Sequence, residues 1–153
     1  MSVERYSIDT NLLVYAIDGR EGAKHLRALQ IMDRSVERDC VLTVQSLAEF
    51  VTVAARRRML AKPDAISQAR GWMRLFPIVT ASAAALGVAF TAFEAGRFGL
   101  WDAVLLATAR EAGCTILLSE DMEDGAELDG LVVRNPLRGD RLPADLAPLL
   151  GFD

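Results

Sequence analysis

Cys40-Val41-Leu42-Thr43-Val44 is apolar or β-branched at every position. A strand with one wet face alternates apolar and polar residues. A short run that is apolar on both faces fits an interior parallel strand covered by helices on each side. Upstream, Tyr6-Ser7-Ile8 reads as a first strand, followed by helical patterns over Asn11 to Ala16 and Glu21 to Arg38. Leu26, Leu29 and Val36 fall near one face of the second of these. Downstream, Ser46 to Arg58 is helical, and Pro63 opens another helix at its favoured first-turn position, running to about Phe76. Pro77 to Thr80 is a third strand, Ala83 to Ala95 a helix, and Trp101 to Ala112 a helix closed by Gly113. Thr115 to Ser119 is a fourth strand and Leu131 to Val133 a short fifth. Strands alternating with helices predict an α/β fold with a parallel sheet covered on both faces.

The chain has 153 residues, 52% of them hydrophobic, which suits one domain with a substantial core and argues against disorder. Residues 1–136 are expected to form that domain, with the Pro-rich segment 137–153 lying on its surface as a tail. No apolar run reaches the roughly 18 residues of a membrane span, and no leader pattern is visible, so a cytoplasmic protein without a membrane partner is expected. Cys40 and Cys114 form no metal motif and read as buried free thiols. Net charge is −4, but its distribution is uneven. Between Phe50 and Phe93 lie Arg56, Arg57, Arg58, Lys62, Arg70 and Arg74 against Asp64 alone. Between Glu120 and Asp129 every charge is negative.

Four acids sit where strands end or helices begin: Asp9, Glu49, Asp102 and Asp121. Asp9 ends the first strand, and Asp121 follows the fourth. In a doubly wound sheet those strands are neighbours where the strand order reverses, and ligands bind at that edge. Glu49 lies in the helix after the second strand, and Asp102 opens its own helix. Carboxylates gathered so closely repel one another unless a cation joins them. Mg²⁺ or Mn²⁺ suits an all-oxygen set and tolerates bound water. Such a site supports metal-assisted phosphodiester hydrolysis. Each acid alone has a plainer use: Asp102 as a helix cap, Asp121 as a first-turn acid favoured by the helix dipole, Glu49 as a surface residue. Asn11 and Ser46 are expected to orient the carboxylates, or else to bond their own backbone. Asp124 is an outer member of the cluster. The single histidine, His25, leaves no histidine-based triad or zinc site, and there is no Gly-rich phosphate loop.

These motifs resemble those of the PIN-domain nucleases. Asp9-Thr10-Asn11-Leu12-Leu13-Val14-Tyr15-Ala16 resembles the family's opening motif, and Gln45-Ser46-Leu47-Ala48-Glu49-Phe50 its second. Trp101-Asp102-Ala103 resembles the third and Gly113 to Met122 the fourth, with Ser119 where the family often carries Thr. Val132 to Pro136 resembles the closing segment. Within the family the chain is most similar to VapC-type toxins, from about Ser7 to Pro136. The resemblance implies a three-layer α/β/α PIN-like domain with about five parallel strands in the order 3-2-1-4-5. It implies a Mg²⁺- or Mn²⁺-dependent endoribonuclease with Asp9, Glu49, Asp102 and Asp121 as its acidic set. Asp9, Asp102 and Asp121 are then metal ligands, Glu49 acts partly through water, and Ser119 keeps the motif's hydroxyl. A homodimer and a cognate antitoxin that covers the site are also implied, with an antitoxin basic side chain entering the acidic pocket.

Two alternatives remain beside the nuclease. One is a non-catalytic PIN-like module whose acidic pocket holds a basic partner segment. The other is a receiver-like signalling domain, but the residues after the third and fifth strands, Thr80-Ala81-Ser82 and Arg134-Asn135, supply neither its phosphoacceptor Asp nor its Lys. The basic stretch, Arg56, Arg57 and Arg58 above all, is expected to track an RNA backbone. As a plain solvated helix face it would do nothing of the kind.

Overall fold

The computed structural model describes residues 4–152. Residues 1–3 and 153, at the outer ends of the expected domain and tail, lie outside the described residues. Strands β1 (Tyr6–Ile8), β2 (Cys40–Thr43), β3 (Ile78–Val79), β4 (Ile116–Leu118), β5 (Glu127–Leu128) and β6 (Leu131–Arg134) form one sheet in the order β3-β2-β1-β4-β6-β5. The five expected strands keep their expected order and are parallel. The sixth is a correction: β5 pairs antiparallel with β6 at the sheet edge. Asp129 and Gly130 both take positive φ, 49° and 89°, as a two-residue hairpin with the favoured twist demands. That Asp-Gly pair is a hairpin signal at the end of a stretch in which every charge is negative. Glu127 on this edge also discourages a further strand from pairing there.

Among the described residues seven α-helices accompany the sheet: α1 (Thr10–Ile17), α2 (Ala23–Ser35), α3 (Val44–Arg56), α4 (Lys62–Leu75), α5 (Ala83–Glu94), α6 (Leu100–Glu111) and α7 (Ala147–Leu150). Alternate strand residues point into two separate cores. Tyr6, Ile8, Cys40, Leu42 and Leu118 join residues of α1 to α4 in one core. Val41, Leu117, Leu131 and Val133 join α5 and α6 in the other. This is the three-layer α/β/α arrangement expected, and it explains why β2 is apolar throughout. Val44, assigned above to the strand, instead starts α3. Thr43 Oγ1 accepts the Ser46 N–H at 3.0 Å and caps the helix there.

The C-terminal segment, expected as a surface tail, exposes Arg138 to Arg141, Ala144, Asp145 and Pro148 but tucks Leu137, Leu146, Leu149 and Leu150 into the core beneath α2. Its prolines punctuate turns, while its leucines supply the burial that holds it down. Cys40 and Cys114 are buried free thiols. Burial is the main cause that raises both, Cys114 to about 12, so neither offers a thiolate at neutral pH.

Candidate active site

Register decides the site. Ile8 pairs with Leu118, so the next residues, Asp9 and Ser119, emerge side by side where strand order reverses. The Asp9 N–H donates to the Leu118 carbonyl at 2.9 Å, fastening its backbone to β4. Asp9 is also the residue that caps α1. One carboxylate oxygen accepts the Thr10 N–H at 2.7 Å, and the other accepts the Ser119 hydroxyl at 2.8 Å and the Asn11 amide at 3.2 Å. Only 6% of Asp9 is exposed. Burial raises its pKa from 3.8 to about 6 against the lowering pull of the Ser119 and Thr10 bonds, and Asp121 and Asp102 push it up further.

Asn11 and Ser119 then build outward. The Asn11 carbonyl oxygen accepts the Glu120 N–H at 3.1 Å, and Ser119 Oγ accepts the Asp121 N–H at 3.2 Å. Two short side chains thus tie the loop after β4 onto α1 and fix where Asp121 stands. Glu120 turns away from this network. It accepts the Tyr15 hydroxyl at 2.7 Å and the Lys24 ammonium at 3.1 Å. Glu49, half-buried on α3, accepts the Thr10 hydroxyl at 2.9 Å and the Gln45 amide at 3.3 Å. Asp102 lies in the first turn of α6 but does not cap it; that place belongs to Gly99, and no side-chain capping bond forms. Its carboxyl is therefore free for the cavity. Burial, then Asp121 and Glu49, raise its pKa above the ordinary value.

All four predicted acids line one cavity of about 310 Å³, with Asp9 at its buried floor and Asp102 and Asp121 at its exposed rim. Asp18 and Glu21, which the sequence reading missed, line it as well. Asp18 is held by the Arg20 guanidinium, which keeps its carboxyl below the usual range. Among the described residues Arg57 is the only basic one lining this cavity. Its neighbours Arg56 and Arg58 are exposed but do not line it.

Ser46, expected to orient the carboxylates, and Asp124, expected as an outer member of the cluster, make no side-chain hydrogen bond to the four acids. The buried Ser46 hydroxyl has no hydrogen-bond partner. Thr10, next to Asp9, does the work expected of Ser46 by bonding Glu49. Asp124 belongs to a separate network: it accepts Arg134 at 3.2 Å, the Asn135 N–H at 3.0 Å and Arg138 at 3.3 Å. Partial burial raises its pKa, but these three bonds outweigh burial and leave it below the ordinary value. His25 faces the Tyr15 carbonyl, 2.8 Å from its Nδ1, and does not line the cavity.

The donor set is all oxygen, which suits a hard cation. Among the described residues no group of three or more His, Cys, Asp or Glu side chains is arranged to enclose a metal ion. A closed protein cage is thus absent. Mg²⁺ does not require one, because it is commonly held by one or two carboxylates with water or phosphate completing its shell. The open rim of Asp102 and Asp121 above the buried Asp9 fits that kind of site.

Solved structures share this architecture. Mycobacterium tuberculosis VapC20, a sarcin–ricin-loop-cleaving toxin, superposes with a TM-score of 0.64 at 16% identity, over 77% of this chain and 91% of that one. VapBC2 from Rickettsia felis, bound to a DNA fragment from its promoter, superposes with a TM-score of 0.61 at 18% identity, over 85% and 97%. At these identities the likeness speaks for the fold alone. A comparison with curated protein sequences found no match. The family model of the PIN domain matches residues 6–124, the span that carries β1 through β4, all four acids and the loop that places Asp121. This chain belongs to the PIN domain family.

Proposed function

We propose that the protein is a metal-dependent endoribonuclease that hydrolyses RNA phosphodiester bonds, and that it acts as the toxin of a toxin–antitoxin pair. The observation that carries the proposal is the convergence of Asp9, Glu49, Asp102 and Asp121 on one cavity at the sheet's switch point. Asp9, Asp102 and Asp121 would hold Mg²⁺ or Mn²⁺, which supplies charge neutralisation of the phosphate and a more acidic bound water. The chain's own residues do the rest. Asn11 and Ser119 hold the Asp9 carboxylate and the Asp121 backbone in fixed relation. Thr10 and Gln45 aim Glu49 at the same space, where its carboxylate accepts a proton from an attacking water. Arg57, the cavity's one cation, meets the incoming phosphate. An acidic pocket repels RNA when empty, so the basic stretch leading from Arg57 provides the attraction.

The toxin assignment is supported by two structural neighbours described as VapC20 and VapBC2. We extend from them a cognate antitoxin partner, a homodimer and a cytoplasmic location. Phe90 and Phe93, half-exposed on α5, offer an apolar surface for a second copy. No helix among the described residues is long and apolar enough to cross a membrane.

The test is cleavage of a labelled RNA by purified protein with Mg²⁺, with Mn²⁺ and with chelator. The proposal expects cleavage only with a divalent ion and none from Asp9→Asn that retains the native circular dichroism. Chelator-resistant cleavage refutes it. Absence of any divalent-ion binding by calorimetry would favour the non-catalytic module that holds a basic partner segment.

A further inference from the structure

We propose that the groove beside the acidic cavity is a nucleobase seat, with Trp101 as its stacking plate. The inference rests on the nuclease reading and names how that site would grip its substrate. The groove has a volume of about 440 Å³ and lies where the starts of α3 and α6 meet the end of β3. Val44, Ala48, Val79 and Ala81 wall it, and Trp101 is 67% exposed at its side. An aromatic plane exposed beside a cleft is a surface on which another planar group can stack.

Three observations tie this groove to RNA. First, it adjoins the acidic cavity, because Glu49 lines both. Trp101 and Asp102 are also adjacent residues, so a phosphate at the rim has its own base within one nucleotide's reach of the ring. Second, no Lys or Arg lines the groove, whereas Arg57 lines the cavity. The division suits a nucleotide, with its neutral planar base on one side and its anionic phosphate on the other. Third, Gln45 stands between them with an unmet need. Its amide nitrogen donates to the Trp101 carbonyl at 3.0 Å and to Glu49 at 3.3 Å, but its amide oxygen is enclosed and has no donor. Because Gln45 lines the groove, a turn of its side chain would bring that oxygen to the N–H of a base seated there. Unstacked bases in single-stranded RNA are recognised in this manner, by stacking on an aromatic side chain and by hydrogen bonds to their edges.

The chain has two tryptophans, and Trp72 is buried against Phe50, so RNA-dependent fluorescence reports on Trp101. Short single-stranded RNA is titrated into wild type in chelator and into Asp9→Asn with Mg²⁺. The proposal expects saturable quenching that Trp101→Phe removes and that a duplex of the same sequence or a base-free ribose-phosphate oligomer fails to produce. Stacking contributes enough that Trp101→Ala should raise KM for cleavage by about 5- to 150-fold, while Trp101→Phe recovers most of it. Gln45→Ala should narrow the spread of KM among substrates that differ in the base beside the cut. RNA that binds without quenching Trp101 overturns the proposal. So does an unchanged KM in Trp101→Ala combined with a shift from dimer to monomer by light scattering, which would make the groove a contact between copies. If no RNA is cleaved under any condition, the nuclease reading fails, while the quenching titration still decides whether the groove takes a base.

Discussion

Asp9 should weaken the metal-free protein that contains it. Its pKa stands at about 6 in the fold against 3.8 in the unfolded chain, mainly through burial. At 1.36 kcal/mol per pH unit this difference costs about 3 kcal/mol at neutral pH. Asp9→Asn removes the charge and with it that cost. The substitution also replaces an acceptor by a donor facing the Asn11 amide, which forfeits about 1–2 kcal/mol of hydrogen bonding. The net expectation is a gain of about 1–2 kcal/mol, or roughly 2–8 °C in melting temperature for a domain of this size. The sign fixes the pH window. A raised carboxyl pKa means the folded state binds the extra proton between pH 3.8 and about 6, so stability falls as pH rises through that range. The advantage of Asn should therefore be full above pH 6, shrink below it, and reverse below 3.8, where only the lost hydrogen bonding is left. The assay is thermal unfolding by circular dichroism in chelator, repeated with excess Mg²⁺. At one hundred times its dissociation constant a ligand adds about 2.7 kcal/mol. Wild type should then overtake the variant, which loses a ligand and gains little. A variant less stable than wild type at pH 7 in chelator, or one stabilised equally by Mg²⁺, refutes the argument.

Other perturbations follow the same logic. Ser119→Ala removes a hydrogen bond that lowers the Asp9 pKa, so the acid limb of the kcat/KM profile should move to higher pH; an unmoved limb means that Asp9 does not control it. Asp124→Ala leaves the Asn135 N–H without its acceptor and Arg134 with Asp145 alone, and should cost about 1–3 kcal/mol in urea unfolding, while kcat at saturating metal stays within a factor of two or so. Because the Asp124 pKa is lowered, that stabilisation should hold above about pH 4 and be lost as pH falls below it. Leu150→Ala should destabilise by about 2–5 kcal/mol, a loss foreign to a surface tail. Arg57→Glu should raise the RNA dissociation constant and flatten its salt dependence more than Arg56→Glu or Arg58→Glu; equal effects from all three would mark a diffuse basic face.

By itself, the sequence determined the layers of the fold and the place of the acids. An apolar run at both faces of β2 can be buried only between two helical layers, and an acid directly after β1 must stand at that sheet's edge. Those inferences are local, because side-chain period and strand ends follow from neighbouring residues. The Asp-Gly pair that makes the β5–β6 hairpin is an equally local signal, set among acidic residues. Tertiary structure alone decided the pairings. Whether Thr10 or Ser46 reaches Glu49 depends on the angle at which α3 crosses α1. Whether Asp124 serves the cavity or clamps Arg134 depends on how the β4–β5 loop turns. The C-terminal leucines looked like a tail because what buries them is α2, more than a hundred residues earlier in the chain. Hydrogen bonds and burial form between residues that meet only after the sheet closes, so no spacing along the chain records them.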